Sequence, residues 1–153
     1  MKLFPLFKKK PFFSDEESRI IVKAIRHAEQ RTSGEVRVFV ESRCSWMDAL
    51  DRAAELFFNL KMDKTEQRNA VLVYLAVKDH QLAILGDEGI HKKVGTEYWN
   101  KVIGEMLASF NKEDYAKGVA ECVIQIGEAL QTHFPFDRGT DKNELPDNIV
   151  FGR

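Results

Sequence analysis

The chain has little of what marks a secreted or membrane-spanning protein. Its 153 residues include only two cysteines, Cys44 and Cys122, which are too few for a disulfide framework. We therefore expect two free thiols in a reducing compartment. No apolar run approaches the roughly 18 residues of a membrane span, and no apolar signal-peptide core follows the first lysines. These absences predict a cytoplasmic protein whose contact with a membrane would be peripheral.

A strong charge of one sign and the common cofactor motifs are also missing. The formal net charge is −1, which argues against a general nucleic-acid-binding protein. There is no glycine-rich Walker loop and no dinucleotide fingerprint. The four histidines have no second ligand at zinc spacing. We expect no nucleic-acid partner, and we single out His91 only because it follows an acidic segment.

The length indicates one domain with two terminal extensions. A domain of this size buries about two thirds of its unfolded surface and is stable without disulfides or metals. The pattern divides the chain into a basic, aromatic arm (1–13), a folded domain (14–134) and a polar tail (135–153).

Caps and apolar periodicity predict the order of helices and strands. The capping box Ser14-Asp15-Glu16-Glu17 begins a helix over 15–31, and the alternation over 35–41 favours a strand nearer a sheet edge. Ser45 is predicted to cap the next helix, with Asp48 at its third position. The remaining predictions are a helical stripe of Leu50, Ala53, Ala54, Phe57 and Phe58, a buried central strand over 70–77, a hairpin strand over 81–85, and helical stripes over 99–110 and 115–130. The apolar triplet 149–151 either docks on the body or pairs with a sheet edge.

This order predicts an α/β fold with a small mixed β-sheet sandwiched by helices on both faces. A strand–helix–strand unit pairs its strands in parallel through a right-handed crossover. The hairpin then adds an antiparallel strand.

The predicted connections bring acidic residues to one end of the sheet. Two parallel strands begin there, after Glu35 and Asn69, and the antiparallel strand ends there, before Asp87 and Glu88. Asp63 and Arg68 lie in the loop that leads into the second strand. We therefore predict a metal site formed by Glu35, Asp63, Asp87 and Glu88, with Arg68 beside it as an ion-pair partner or a phosphate contact.

Carboxylates with backbone carbonyls and water are the ligands of hard divalent cations, chiefly calcium (Ca²⁺), or magnesium (Mg²⁺) in a tighter octahedron. Two other interpretations stay open at this point. The acids could be solvated side chains at strand ends and at a helix start. The helix after Gly86 could instead bind an anion on its free amides, with the help of Arg68.

Three segments resemble the TPM domain family, which is named for a thylakoid lumen protein, a photosystem II repair protein and a receptor modulator. The segments are Thr32-Ser33-Gly34-Glu35-Val36, Arg68-Asn69-Ala70-Val71-Leu72-Val73, and the run from Leu82 to Ile90 that contains Gly86-Asp87-Glu88-Gly89. The resemblance covers about residues 14–134. It implies a central sheet between helices and a divalent-cation-binding accessory module.

The same resemblance implies an alternative activity, because a plant member of the family has been assigned acid phosphatase activity. A metal-dependent phosphomonoesterase would use the same acidic cluster, in which a metal polarises the phosphoryl oxygen and activates water. Nothing in the sequence identifies a nucleophile. Whether the chain is an enzyme stays open, and any such activity is expected to be weak.

The arm over 1–13 combines four lysines with leucine and phenylalanine and has no acidic residue. One interpretation is a contact with an anionic membrane surface, to which each lysine adds about 1 kcal/mol. The other is that the arm packs on its own domain or on another protein, or stays disordered.

Overall fold

The computed structural model describes residues 12–44, 47–111, 114–136 and 149–152. Its elements, in chain order, are α1 (Asp15–Glu29), β1 (Glu35–Glu41), α2 (Ala49–Asn59), a 3-10 turn (Met62–Lys64), β2 (Ala70–Ala76), β3 (Gln81–Gly86), α3 (Glu88–Val94), α4 (Thr96–Asn111), α5 (Tyr115–His133) and β4 (Val150–Phe151).

The four strands form one mixed sheet in the order β3-β2-β1-β4. β1 and β2 are parallel, and β3 is antiparallel to β2, as predicted. The position of β1 nearer an edge was wrong, because β4 pairs with it in parallel over Phe39 and Val40. The apolar triplet near the end of the chain therefore resolves as a strand-forming segment.

Helices cover both faces of the sheet, so the predicted sandwich is confirmed. On one face, the side chains of Val36, Val38, Val71 and Val73 pack in a core with residues of α1, α4 and α5. On the other face, Phe39, Leu72 and Tyr74 pack with α2 and with Met62. All seven residues of β2 are buried, which explains its uninterrupted apolar sequence.

The first helix forms as its capping box predicts. Ser14 Oγ accepts from the Glu17 amide at 3.1 Å, and Glu17 Oε1 accepts from the Ser14 amide at 3.0 Å. The predicted start of α2 was wrong, because Asp48 is the N-cap and the helix begins at Ala49.

The buried face of α2 also differs from the predicted apolar stripe. Leu50 and Phe58 are exposed, and the residues that α2 buries are Ala49, Ala53, Leu56 and Phe57. These four recur at a helical spacing of four, three and one residues, which makes a narrower face than the one predicted.

Residues at the two ends of the chain bear on the remaining predictions. The predicted lipid contact of the arm falls mainly on residues 1–11, which lie outside the described residues. Phe13 is buried in the core, and Phe12 packs edge-on against Tyr115 with ring centroids 5.4 Å apart. Among the helices of the described ranges, none combines the length and the apolar character that crossing a bilayer requires.

Cys44 and Cys122 are both free thiols, as predicted. Burial raises the pKa of the Cys122 thiol to about 12, and the charge of Glu105 adds to this shift. The thiolate is the reactive form. We therefore expect Cys122 to resist iodoacetamide in the native protein at pH 8 and to react once the protein is unfolded in urea. Intact-protein mass spectrometry, with peptide mapping, measures this difference. Rapid native alkylation at Cys122 would contradict its burial.

Candidate functional site

Strand register brings the predicted site segments to one end of the sheet. Glu35, the first residue of β1, pairs with Ala70, the first residue of β2. Gly86, the last residue of β3, pairs with Val71. The Asp87 amide then donates to the Ala70 carbonyl at 2.9 Å, which extends the ladder by one residue. The backbone around Asp87 is therefore adjacent to the start of β2.

A bidentate ion pair joins Arg68 and Asp87 at this end of the sheet. Arg68 Nε donates to Asp87 Oδ2 at 2.7 Å, and Arg68 Nη2 donates to Asp87 Oδ1 at 2.9 Å. Asp87 is also the N-cap of α3, where Oδ1 accepts from the Glu88 amide at 2.8 Å. Asp87 is only 7% exposed, so this carboxylate is held by three donors in a mostly buried position.

The backbone of Arg68 has an unusual conformation. Its φ of 53° lies in the left-handed region, which non-glycine residues rarely adopt. The Arg68 carbonyl accepts from the Gly89 amide at 2.8 Å, so the first turn of α3 sits directly on this residue. This bond places the backbone of Arg68 beside the N-terminus of α3.

Two further carboxylates act on the same guanidinium, Glu88 through a contact and Asp63 through its charge. Glu88, whose side chain is 56% exposed, approaches Arg68 Nη1 at 3.2 Å. The hydrogen bonds to Asp87 raise the pKa of Arg68, partial burial opposes the rise, and the charges of Asp87, Glu88 and Asp63 add to it. We call Asp63, Arg68, Asp87 and Glu88 the acidic cluster.

Glu35 lies in a separate, buried polar layer at the same end of the sheet. It is 2% exposed, and its amide donates to the Asn69 carbonyl at 3.3 Å. Asn69 Nδ2 and Gln67 Nε2 both donate to Ser33 Oγ, at 3.2 and 3.0 Å. The Asn69 Oδ1 acceptor is buried without a hydrogen-bond partner in the described part of the chain. The sequence motif contained Asn69, but its carbonyl oxygen was not recognised as a candidate ligand.

The arrangement of these side chains is not a preformed metal site. Across the described ranges, no three side chains of His, Cys, Asp or Glu are placed so that they could hold one metal ion. In this structure the Arg68 guanidinium occupies the position next to the Asp87 carboxylate. His91 is engaged elsewhere, because its Nδ1 accepts from the Trp99 indole at 3.0 Å.

The structure also shows a polar cluster that the sequence did not predict. Glu41, at the far end of β1, accepts a hydrogen bond from the buried Tyr74 hydroxyl. Arg52 of α2 donates to the same carboxylate through Nε at 2.9 Å and Nη2 at 3.0 Å. Arg52 also pairs with the exposed Glu55. The available signal was the tyrosine within an otherwise apolar strand, because a buried hydroxyl requires a partner.

Comparison with known proteins identifies related chains. The family model described as "TPM domain" matches residues 7–129. The NMR structure of BA42 protein from the psychrophilic bacterium Bizionia argentinensis is 39% identical, covers 95% of this chain and 99% of its own length, and superposes with a TM-score of 0.86. No curated protein matches the chain.

Two more distant solution structures have the same fold. The N-terminal domain of a P. gingivalis protein is 16% identical, with a TM-score of 0.67 over 82% of this chain and 83% of its own. The N-terminal domain of cg2496 protein from Corynebacterium glutamicum is 14% identical, with a TM-score of 0.58 over 78% of this chain and 74% of its own.

Proposed function

Since the chain belongs to the TPM domain family, we propose that it is an accessory module that binds a divalent cation, with Ca²⁺ preferred over Mg²⁺. The proposed ligands are Asp87, Glu88 and Asp63, with Glu35 behind them at the start of β1. The observation that carries the proposal is the contact of the Asp87 and Glu88 carboxylates with the single guanidinium of Arg68, whose pKa the charge of Asp63 also raises.

The charge balance of the acidic cluster supports this proposal. Even when the exposed Lys64 ammonium, 3.6 Å from Asp63, is included, the carboxylates outnumber the cationic groups. A carboxylate has about four lone-pair directions, and Asp87 uses three of them on Arg68 and the Glu88 amide. The unpaired Asn69 Oδ1 supplies another oxygen at this end of the sheet.

The arrangement also sets the expected strength and preference. A cation must displace Arg68 from Asp87, or share the carboxylate with it, so the affinity should be low, with a Kd of roughly 10⁻⁴–10⁻³ M. Ca²⁺ is favoured because it accepts a flexible shell of six to eight oxygens, whereas Mg²⁺ requires a near-ideal octahedron.

Titration of the metal-stripped protein with Ca²⁺, followed by amide NMR with Mg²⁺ as the comparison, tests the proposal. We expect saturable shifts confined to residues near Glu35, Asp63 and 87–89. Asp87→Asn should abolish these shifts, while Asp51→Asn, a matched change of an exposed acid on α2, should leave them intact. If no shift appears up to millimolar Ca²⁺, the cation proposal fails.

Arg68→Asn should strengthen binding, because it removes the competing positive charge while asparagine tolerates the left-handed backbone. Removing one charge about 4 Å from a divalent ion predicts an affinity gain on the order of tenfold. The same NMR titration measures the gain. Weaker binding by Arg68→Asn would instead mean that Arg68 organises the ligands and does not compete with the ion.

Hydrolysis of phosphate monoesters by the same residues stays a prediction. The test is whether the protein hydrolyses p-nitrophenyl phosphate in a metal-dependent way. Asp87→Asn should abolish this turnover while the variant stays folded.

A further inference from the structure

We infer that the groove along β3 binds an extended segment of another protein, apolar in its middle and basic at both ends, which joins the sheet as an added strand. Among the described strands, β3 pairs on one side only, with β2. A groove of about 510 Å³ is lined by residues 82–86 of this strand. A strand edge that opens into a groove is a site where a peptide can add through main-chain hydrogen bonds.

The backbone of β3 directs hydrogen-bonding groups away from β2 at alternate residues. The hydrogen bond from the Asp87 amide to the Ala70 carbonyl makes 70 and 87 a bonded pair. In an antiparallel ladder, bonded and non-bonded pairs alternate. Leu82 and Ile84 therefore belong to non-bonded pairs with β2, and their N–H and C=O groups point away from it. An incoming strand can bond to these two residues without disturbing the existing sheet.

The sequence of β3 has none of the features that usually prevent an edge from pairing. Edge strands are commonly protected by lysine, proline, inward-pointing charge or a very short length. β3 is six residues long and reads Gln-Leu-Ala-Ile-Leu-Gly, with no charge and no proline. The strand at the opposite end of the described sheet, β4, has only two residues. The β3 edge therefore has the length and the composition to accept a partner strand.

Both walls of the groove are apolar, and they lie on opposite faces of the sheet. α2 contributes Leu50, which is 49% exposed, and α4 contributes Trp99 and Ile103. Since α2 packs on one face of the sheet and α4 on the other, a strand in the groove has an apolar wall on each side. Successive side chains of a strand point to opposite faces, so consecutive apolar residues suit the middle of the partner segment.

Acidic residues lie towards the two ends of the groove. Arg52, near the start of α2, bonds to Glu41 at the end of β1, and the strand register places that end beside the start of β3. Asp48, the N-cap of α2, is therefore near the start of β3, while Glu88 lies just after its end. No lysine or arginine is among the described residues that line the groove. A partner with a basic residue at each end is complementary to this charge.

The same features disfavour a second copy of the chain as the occupant. Because α2 and α4 flank the edge, the walls of two copies would meet before their β3 strands could bond to each other. The pairing would also bring together Asp48 and Glu88 of both copies, and like charges repel. A single extended segment carries no flanking helices and no such charges.

Two capped hexapeptides test the inference by NMR on the full chain, kept metal-free with a chelator. One is acetyl-Lys-Val-Leu-Val-Leu-Lys-amide, whose charges suit the groove in either chain direction, and the other has glutamate in place of both lysines. We expect the lysine peptide to shift the amides of Leu82 and Ile84 saturably and to slow their hydrogen exchange at least about tenfold. The glutamate peptide should bind at least about tenfold more weakly. Ala83 and Leu85, which bond to β2, should exchange equally with and without peptide.

Matched controls separate strand addition from other modes of binding. Methylation of two adjacent amides in the lysine peptide removes a donor from each edge of the strand, and it should weaken binding at least about tenfold. Asp48→Asn keeps a good N-cap and should weaken binding about two- to fivefold. Asp51→Asn changes an exposed acid of α2 that does not line the groove, and it should leave binding unchanged.

Four results would overturn the inference. No saturable shift up to millimolar lysine peptide would exclude the site, equal binding of the methylated peptide would exclude strand addition, and equal binding of the glutamate peptide would exclude recognition by charge. Protection of Leu82 and Ile84 without peptide would mean that the edge is already covered, and its growth with protein concentration would identify a second copy as the occupant. Because the chelator is present throughout, failure here leaves cation binding at the acidic cluster untouched.

Discussion

Gly89→Ala is expected to destabilise the protein by roughly 2–4 kcal/mol, because no room exists for a side chain where α3 meets the Arg68 turn. A Cβ at position 89 would lie 2.3 Å from the Gln67 carbonyl oxygen and 2.6 Å from that of Arg68. Both neighbours are backbone atoms, so neither can rotate away as a flexible side chain could. Relief requires α3 to move off the turn, which breaks the bond from the Gly89 amide to the Arg68 carbonyl.

Gly104→Ala is the matched control for this substitution. Gly104 lies inside α4, where an added Cβ has nothing within 4 Å. Alanine has the better helix propensity, so this variant should be more stable than the parent by about 0.5–1 kcal/mol. Urea unfolding of the two variants measures the change in the free energy of unfolding that each substitution causes. A Gly89→Ala protein as stable as the parent would show that α3 is not held against the Arg68 turn.

Glu41→Ala is expected to cost about 3 kcal/mol, since it removes the acceptor shared by Tyr74 and Arg52. The Tyr74 hydroxyl would be left buried without its partner, and burial together with the Glu41 hydrogen bond already raises the pKa of Tyr74. Arg52, whose side chain is 27% exposed, would lose two hydrogen bonds to a buried carboxylate. For a chain of this length, the loss corresponds to a fall in Tm of about 6–12 °C.

Glu55→Ala separates this effect from a general loss of charge on α2. Glu55 also pairs with Arg52, but its side chain is 46% exposed. An exposed pair of this kind contributes less than about 1 kcal/mol. Thermal unfolding at matched pH should therefore show a large fall for Glu41→Ala and a small one for Glu55→Ala. Similar values for the two would contradict a structural role for the Glu41 cluster.

The local elements of this fold could be read from short stretches of sequence. The alternation over 35–41 gave the bounds of β1, and the capping box gave the start of α1. These signals depend on neighbours within a few residues, which the sequence displays directly. The start and buried face of α2 were wrong, because Ser45 and Asp48 are both acceptable caps and only packing on the sheet distinguishes them.

The sequence predicted where in the fold the candidate site lies, but not how its side chains are arranged. Strand directions alone put the starts of β1 and β2 beside the end of β3. They could not show that Asp87 would be held by Arg68, because the two residues are 19 apart in the sequence and strand directions do not fix the loop conformation at Arg68. Nor could they show that Glu35 would be buried, or that the Asn69 side-chain oxygen would lack a hydrogen-bond partner among the described residues.

The sequence by itself determined α1, α4, α5, the approximate position of α2, the three main strands and the family, because capping, periodicity and short motifs are properties of neighbouring residues. Only the tertiary structure decided which charges meet. Arg68 and Asp87 are separated by 19 residues, Glu41 and Tyr74 by 33, and β4 reaches β1 from the end of the chain. The partner of a charged side chain depends on where distant backbone segments lie and on which buried polar groups still need a hydrogen-bond partner. A local sequence pattern predicts neither of these.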